Sequence, residues 1–221
     1  EATGYGNVYF AQHMLETRKK SFENKIVVIS GSGNVAQYSC QKAIELGAKV
    51  VSLSDSSGYI FDEEGITKEK LDFVFELKNI RKGRIKEYAD AFNCEFSQGR
   101  PWSIPCDIAL PCATQNELNE HDAKKLINNG CICVSEGANM PCTPEAIFSF
   151  QNAKILYAPG KASNAGGVAT SALEMSQNSM RMSWSSSEVD EKLKSIMSQI
   201  HDSCVKYGNE GDFIDYVKGA N

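Results

Sequence analysis

The hydrophobic residues of this chain occur in two kinds of segment, which follow one another along the sequence. Short, nearly continuous apolar runs lie at 26–29, 107–110, 131–134 and 155–157, and the segment 49–55 is a further predicted strand that contains Val50, Val51 and Leu53. Between these runs, apolar residues recur at the spacing of amphipathic helices. Because strands that alternate with helices pair in parallel and are covered on both faces, the order predicts an α/β fold with a mostly parallel sheet. Helical spacing at 168–184 and 188–207 predicts C-terminal helices after the sheet.

The turn after the first predicted strand carries glycines at a fixed spacing. It reads Gly31-Ser32-Gly33-Asn34-Val35-Ala36, and the next strand ends in an acid, Asp55. Gly31 permits a tight turn, Gly33 leaves room for a pyrophosphate, and free N–H groups at the helix start attract phosphate. The pattern therefore predicts a Rossmann-like dinucleotide-binding unit. The alternative is an ordinary glycine turn in another α/β protein.

Polar loops follow every predicted strand of the sheet. They lie at 31–34, 55–57, 114–116, 137–139 and 161–164. Ligands of parallel sheets bind outside the carboxyl ends of the strands, so these loops are expected to meet in one crevice. Each loop alone could be turn chemistry, because Asn and Gly favour turns.

Three local patterns lead to further expectations. Residues 3–6 read Thr-Gly-Tyr-Gly, which predicts a turn before an N-terminal helix. Met175, Met180 and Met182 are expected in the core, because methionine fills irregular gaps there. The tail at 210–221 contains no pattern that predicts an element closing the fold.

Composition excludes several classes of protein. The 221 residues carry a net charge of −5, which argues against a nucleic-acid surface, and no apolar run is long enough for a membrane span. The eight cysteines form no Cys-x-x-Cys pair and are expected to be small buried hydrophobes in a reducing compartment. A zinc site or disulfide framework is the minority interpretation. No signal peptide opens the chain and its first residue is not Met, so a piece of something longer is expected.

Five segments taken together closely resemble the hexameric glutamate dehydrogenases, above all their NADP-dependent microbial type. They are residues 1–6 (EATGYG), 31–36 (GSGNVA), 113–117 (ATQNE), 136–141 (EGANMP) and 164–168 (NAGGV). The resemblance covers essentially the whole chain and implies that residues 1–221 are the coenzyme-binding domain with flanking helices. It also implies that an N-terminal substrate and assembly domain and a final C-terminal segment are absent. The catalytic Lys and Asp belong to that absent domain, so no catalytic residue and no metal ligand is expected here.

The same resemblance implies a role for individual positions. Thr3 and Asn34 would contact the nicotinamide side of the cofactor. The pyrophosphate turn would comprise Gly31, Ser32, Gly33 and Val35. Contacts to ribose and nicotinamide would come from Ala113, Thr114, Gln115 and Asn139. The substrate would meet Asn164, Val168 and Ser171, with Ser171 holding its γ-carboxylate.

The identity of the cofactor depends on the end of the second strand. Asp55 by itself favours NAD, because a carboxylate there accepts the ribose hydroxyls and repels a 2′-phosphate. That repulsion is about 4 kcal/mol at about 4 Å and a surface-like dielectric, whereas two cations could return about 1.5–3 kcal/mol each. The basic residues at 78–86 read most simply as a solvated face. NADP-type members of the family, however, keep Asp55 and Ser56 and have basic residues matching Lys78 and Arg84, so NADP is expected, with NAD as the alternative.

The implied reaction is reversible oxidative deamination of L-glutamate to 2-oxoglutarate and ammonium. The full-length protein is expected to be a cytoplasmic homohexamer, with an organelle as the alternative location, and to bind neither nucleic acid nor membrane. This piece alone is expected to be inactive. Two other functions stay open: a nucleotide-binding module without turnover, and an NAD-dependent dehydrogenase of glutamate or of another amino acid.

Overall fold

Seven strands form one sheet in the computed structural model, which describes residues 1–221. The strands are β1 (Ile26–Ile29), β2 (Lys49–Asp55), β3 (Gly58–Phe61), β4 (Glu95–Ser97), β5 (Ile108–Leu110), β6 (Cys133–Ser135) and β7 (Leu156–Ala158). Their order across the sheet is β4-β3-β2-β1-β5-β6-β7. Five of them are parallel, while β3 and β4 add an antiparallel edge next to β2. The predicted mostly parallel α/β sheet is confirmed.

Helices cover the sheet and extend beyond it. They are α1 (Ala2–Glu16), α2 (Asn34–Glu45), α3 (Lys68–Phe75), α4 (Lys86–Phe92), α5 (Glu120–Asn128), α6 (Pro144–Asn152), α7 (Gly160–Ser163), α8 (Gly166–Met180), α9 (Ser186–Gly208) and α10 (Tyr216–Gly219). A π-helical turn (Glu76–Ile80) continues α3, and a short 3-10 helix (Pro101–Ser103) follows β4. No helix combines the length and apolar character needed to cross a membrane.

The alternation of side chains along each strand creates two hydrophobic cores. In β1, Val27 and Ile29 join the larger core beneath α1, α2 and α9, while Val28 joins the smaller one beneath α5 and α6. Successive side chains of a strand point to opposite faces, so a strand covered on both sides must be apolar throughout. Seven of the eight cysteines are buried and all are free, as expected for small hydrophobes.

The first residues of the chain differ from the expectation. Residues 3–6 belong to α1 and do not form a turn. A Cβ on Gly4 would lie 2.7 Å from the Ser39 backbone nitrogen, and one on Gly6 would lie 3.0 Å from the Gly166 Cα. The two glycines therefore allow α2 and α8 to approach α1, a use of glycine that a local turn rule does not detect.

The three methionines near α8 are not core residues, so that prediction is wrong. Met175, Met180 and Met182 are exposed by 73%, 51% and 56%. The reason is that α8 buries only Gly166 within this chain, so helical spacing alone did not imply a covering partner.

The tail closes the fold, contrary to the sequence-based expectation. Tyr216 of α10 is almost fully buried against α9, and its hydroxyl lies 3.0 Å from Nε2 of His201. The His201 ring is 5.5 Å from the ring of His13 on α1 and packs on Phe10. Burial, together with the neighbouring His13, lowers the pKa of His201 to about 4. Asp202 and Glu16 act in the opposite direction but do not offset these effects.

This histidine predicts that mild acid destabilises the fold. In the unfolded chain His201 binds a proton below its ordinary pKa of 6.5, whereas the folded chain binds it only near 4. The contribution of His201 to stability is therefore fully present above that ordinary pKa and is lost as the pH falls. We expect the free energy of unfolding, measured with urea, to drop by about 2 kcal/mol from about pH 7.5 to about pH 5.

His201→Gln should remove most of this pH dependence, because glutamine does not titrate. His121→Gln is the matched control, since His121 is exposed on α5. An equal acid sensitivity in the His201 variant and in the wild type would contradict the assignment. Asp55 does not interfere, because its ordinary pKa of 3.8 and its lowered pKa of about 2 in the fold both lie below this pH range.

Candidate functional site

The direction in which the chain adds strands to the sheet reverses beside β1, at the centre of the sheet. The chain proceeds from β1 to β2 on one side and later reaches β5 on the other. Loops that leave β1 and β5 in opposite directions open a crevice at the carboxyl ends of the strands. A cavity of about 550 Å³ lies there, lined by the 31–33 turn, residues 54–56 and residues 112–114.

The two glycines of the turn have different physical roles. Gly31 has φ +85°, and a Cβ there would lie 2.9 Å from the Cys112 carbonyl oxygen, so both backbone and space require glycine. Its N–H donates to Ser54 Oγ at 2.7 Å, which ties the turn to the end of β2. Gly33 has φ −81°, and no atom lies within 4 Å of its Cβ position. Gly33 therefore leaves open the space in front of α2.

The start of α2 is available to an anion. Gly33 is its N-cap residue and no side chain caps the helix. The first N–H groups of a helix have no partner within the helix, and the dipole adds positive potential there. Gln37 holds the turn rigid, because its Nε2 donates to the Ser32 carbonyl oxygen at 2.7 Å. Open space, free amides and a rigid turn together fit a phosphate group.

The predicted basic patch divides into two groups. Lys78 Nζ lies 3.1 Å from Asp55 Oδ2, and Arg84 donates to Ser56 Oγ at 2.6 Å. Arg81 and Lys86 instead form surface ion pairs with acids of α4. Only Lys78 and Arg84 therefore reach the end of β2, which sequence alone did not distinguish from a solvated face.

The Asp55 carboxylate is fully engaged. Burial by itself raises its pKa, but hydrogen bonds from Ser57, the Ile85 N–H and Lys78 outweigh burial and lower the pKa to about 2. The Ile85 N–H lies 2.8 Å from Oδ2 and the Ser57 N–H lies 2.9 Å from Oδ1. Asp55 is thus a permanent anion whose charge Lys78 balances.

Glu117 is a buried residue of the site that the sequence analysis did not single out. Its Oε1 accepts from Ser30 Oγ at 2.8 Å, from the Ala113 N–H at 2.9 Å and from the Thr114 N–H at 3.3 Å. Burial raises its pKa, although these three donors oppose the shift. One carboxylate thereby joins the turn after β1 to the loop after β5. The only signal in the sequence was its place at the end of the 113–117 motif.

The loops after β6 and β7 are held in the same way by Glu136. This buried carboxylate accepts from Tyr157 Oη at 2.6 Å and from the Gly160 N–H at 2.7 Å. Asn164 Nδ2 donates to the Ala138 carbonyl oxygen at 3.3 Å, and the Gly137 N–H donates to the Pro111 carbonyl at 2.9 Å. The loops at the carboxyl ends of β5, β6 and β7 therefore form one hydrogen-bonded row.

The candidate residues are distributed over the cavity, its rim and a second cavity. Those lining the first cavity are Gly31, Ser32, Gly33, Asp55, Ser56, Ala113 and Thr114. Asn34 and Val35 begin α2, Gln115 and Asn139 are exposed on adjoining loops, and Asn164 is half-buried. Val168 is exposed on α8. Thr3 and Ser171 line another cavity, of about 670 Å³, between α1, α8 and α9. The single crevice expected from five loops thus holds for three of them.

Known proteins resemble this chain over its whole length. An NADP-specific glutamate dehydrogenase of Haemophilus influenzae is 57% identical over 224 residues, and an NAD-specific glutamate dehydrogenase of Bacteroides fragilis is 58% identical over 224 residues. Each alignment covers 100% of this chain and 50% of the relative. The chain therefore spans about half the length of the curated relatives it matches.

A solved structure and a family model agree with these relatives. The structure of Plasmodium falciparum glutamate dehydrogenase 2 matches with a TM-score of 0.95 and 48% identity, covering 99% of this chain and 49% of that one. The Rossmann-like fold prediction is thereby confirmed. The family model for Glutamate/Leucine/Phenylalanine/Valine dehydrogenase matches residues 1–221. With fold, site and sequence in agreement, this chain belongs to the glutamate/leucine/phenylalanine/valine dehydrogenase family.

Proposed function

We propose that residues 1–221 are the coenzyme-binding half of an NADP-dependent glutamate dehydrogenase. The full-length enzyme would catalyse reversible oxidative deamination of L-glutamate to 2-oxoglutarate and ammonium. The observation that carries the proposal is the uncapped start of α2 facing the space that Gly33 leaves open. When bound, the cofactor supplies the hydride acceptor or donor. Relatives of the same family are named for this activity.

The residues of this chain bind and orient the reactants in the proposal. The turn at 31–33 and the amide of Val35 hold the pyrophosphate, and Asp55 lies on the adenosine side. Ribose and nicotinamide are positioned by Thr3, Asn34, Ala113, Thr114, Gln115 and Asn139. Asn164, Val168 and Ser171 face the substrate, and a hydroxyl such as that of Ser171 suits a carboxylate. This assignment supports glutamate as the substrate.

The chain lacks a convincing group for proton transfer. Lys161, in the same 161–164 segment as Asn164, donates a hydrogen bond to the side chain of Asn221. Lys42 lines the cavity that contains Ser171, but it is paired with Glu45 and Asp190. The proton-transfer groups are therefore expected in the other half of the full-length protein, and this chain alone is expected to bind cofactor without turnover. Its assembly as a homohexamer and its cytoplasmic location stay predictions.

The choice of NADP depends on local contacts and not on overall similarity. Relatives of 57% and 58% identity bear NADP-specific and NAD-specific names respectively. In this chain Lys78 offsets the charge of Asp55, and Ser56 with Arg84 supplies donors beside it. A 2′-phosphate at this position would meet two cations and one neutralised anion, which favours NADP; NAD stays the alternative.

Removing both cations should weaken NADPH specifically. In Lys78→Ala with Arg84→Ala we expect about a tenfold loss of NADPH affinity, because the charged hydrogen bonds to the phosphate disappear and Asp55 is left unbalanced. NADH affinity should change less than about threefold. Fluorescence titration of the reduced cofactors measures both. Lys86→Ala, which removes a cation paired with Asp90 on α4, is the control. Unchanged NADPH binding in the double variant would refute the assignment.

Activity assays separate the candidate functions. Glutamate-dependent reduction of NADP⁺ is measured for the full-length protein and for residues 1–221. We expect turnover only in the full-length protein, together with NADPH binding in both. Leucine, phenylalanine and valine as substrates test the other activities of the family. A preference for one of them over glutamate would contradict the proposed substrate, and faster reduction of NAD⁺ would contradict the proposed cofactor.

A further inference from the structure

Arg100 is a cation of the 550 Å³ cavity that the proposed function does not use. It lies in the connection between β4 and β5, and its side chain lines the cavity together with the 54–56 and 112–114 segments. Gly99 precedes it with φ +94°, and no atom lies within 4 Å of the Gly99 Cβ position. This part of the cavity wall is therefore open to a ligand on the Gly99 side.

The backbone of Arg100 is held firmly. Pro101 follows it and restricts it to an extended conformation, observed at φ −123° and ψ 151°. Trp102 is fully buried in the smaller core, and the short 3-10 helix that contains it packs on β1, β2 and β3. The guanidinium itself donates to the carbonyl oxygen of Glu117. The restriction by Pro101 and the packing of Trp102 fix the base of the side chain, and the hydrogen bond fixes one edge of its planar group.

The guanidinium of Arg100 forms no salt bridge, although two carboxylates line the same cavity. Asp55 is occupied by Lys78, Ser57 and the Ile85 N–H, and Glu117 by Ser30 and two backbone amides. The positive charge of Arg100 lowers the pKa of Glu117 and so opposes the effect of burial on that carboxyl. Arg100 is nevertheless exposed, so its planar group is accessible from the cavity.

The rest of the wall lacks a surface on which a flat base could lie. Among its twelve lining residues only Cys112 and Ala113 are hydrophobic, and none is aromatic or a large aliphatic residue. Stacking of a base on a flat group contributes about 1–3 kcal/mol to binding, and the planar guanidinium of arginine can provide such a surface. Arg100 is the one side chain of this lining with a planar group large enough to stack on a purine, and its hydrogen bond to Glu117 uses only an edge of that group.

We propose that the guanidinium of Arg100 stacks on the adenine base of the dinucleotide. The inference rests on the proposed function, because it requires a cofactor with an adenosine half. It assigns Arg100 to the base and leaves the 2′-phosphate to Lys78 and Arg84. Arg100 thus contributes equally to NADPH and NADH, whereas the other two cations discriminate between them.

Calorimetric titration of the full chain with four ligands tests this role. The ligands are NADPH, NADH, 5′-AMP and nicotinamide mononucleotide, and the variants are Arg100→Ala and Arg100→Lys. Arg100→Ala is expected to weaken the three adenine-containing ligands about tenfold and to leave nicotinamide mononucleotide unchanged. Arg100→Lys should behave like the alanine variant, because lysine keeps the charge but lacks the plane. Arg18→Ala is the matched control, since Arg18 is also exposed and donates to a backbone carbonyl, that of Lys154.

The outcomes that overturn the inference are distinct from those that overturn the proposed function. Restoration of affinity by lysine, or a loss confined to NADPH, would show a role of charge at a phosphate and refute stacking. Unchanged binding in both variants would refute any role of Arg100. Absence of dinucleotide binding by the wild type would refute the proposed function and, with it, the stacking role. Thermal unfolding of each variant confirms that the comparison is between folded proteins.

Discussion

Replacing Gly33 with valine is expected to lower the affinity for NADPH by about a hundredfold, equivalent to about 2.7 kcal/mol. The isopropyl group would project into the space that is now empty within 4 Å of the Cβ position, in front of the free amides of α2. Stability should change by only about 1 kcal/mol, because φ −81° is accessible to any residue and the cost comes from replacing glycine by valine, a poorer N-cap residue. Cofactor titration and urea unfolding of the same preparation measure both quantities.

Gly31→Ala provides the contrasting variant. Its φ of +85° and the 2.9 Å approach to the Cys112 carbonyl oxygen make any side chain unfavourable. We expect a loss of about 2–4 kcal/mol in the free energy of unfolding, from the left-handed backbone and from overpacking. If Gly33→Val destabilised the fold as much as Gly31→Ala, or left NADPH binding intact, the open space would not be a ligand site.

Replacing Glu117 with alanine is expected to destabilise the fold by about 3 kcal/mol. The variant removes the shared acceptor of Ser30 Oγ and of the Ala113 and Thr114 N–H groups, and it leaves these donors at a site that is 2% exposed. Cofactor affinity should fall as well, because the loop after β5 is no longer held to the turn after β1. Urea unfolding and NADPH titration measure the two effects.

Glu117→Gln separates the loss of an acceptor from the loss of charge. Glutamine keeps one side-chain oxygen for the same donors, so the expected cost is only about 1 kcal/mol. Glu120→Ala is the surface control; its ion pair with Lys124 is exposed and should contribute less than about 0.5 kcal/mol. Equal losses for the alanine and glutamine variants would show that the buried hydrogen bonds do not organise the loop.

The sheet and its phosphate-binding turn were predictable because their signals are local. Continuous apolar runs such as 26–29 can be buried on both faces only inside a covered parallel sheet, and this is where β1 lies. The starts of α5 and α6 show an equally local cause, because the side chains of Asn119 and Thr143 each accept a hydrogen bond from the backbone N–H three residues later.

The failures share a different cause, which is dependence on a distant partner. Gly4 and Gly6 looked like turn residues, but they permit contacts with α2 and α8. Met175 looked like a core residue, but within this chain nothing covers its face of α8. Tyr216 gave no signal in a polar tail, yet it is buried beside His201.

By itself, the sequence determined the α/β class, the five parallel strands with helices between them, and the glycine turn at 31–33. These features follow from the spacing of hydrophobic residues, the backbone freedom of glycine and helix capping, all of which act over a few residues. Tertiary structure alone decided that Lys78 neutralises Asp55, that Glu117 joins two loops and that the guanidinium of Arg100 lines the cavity without a salt bridge. The physical reason is that the protonation state, the partner and the exposure of a charged side chain depend on which distant groups folding brings within about 3 Å of it.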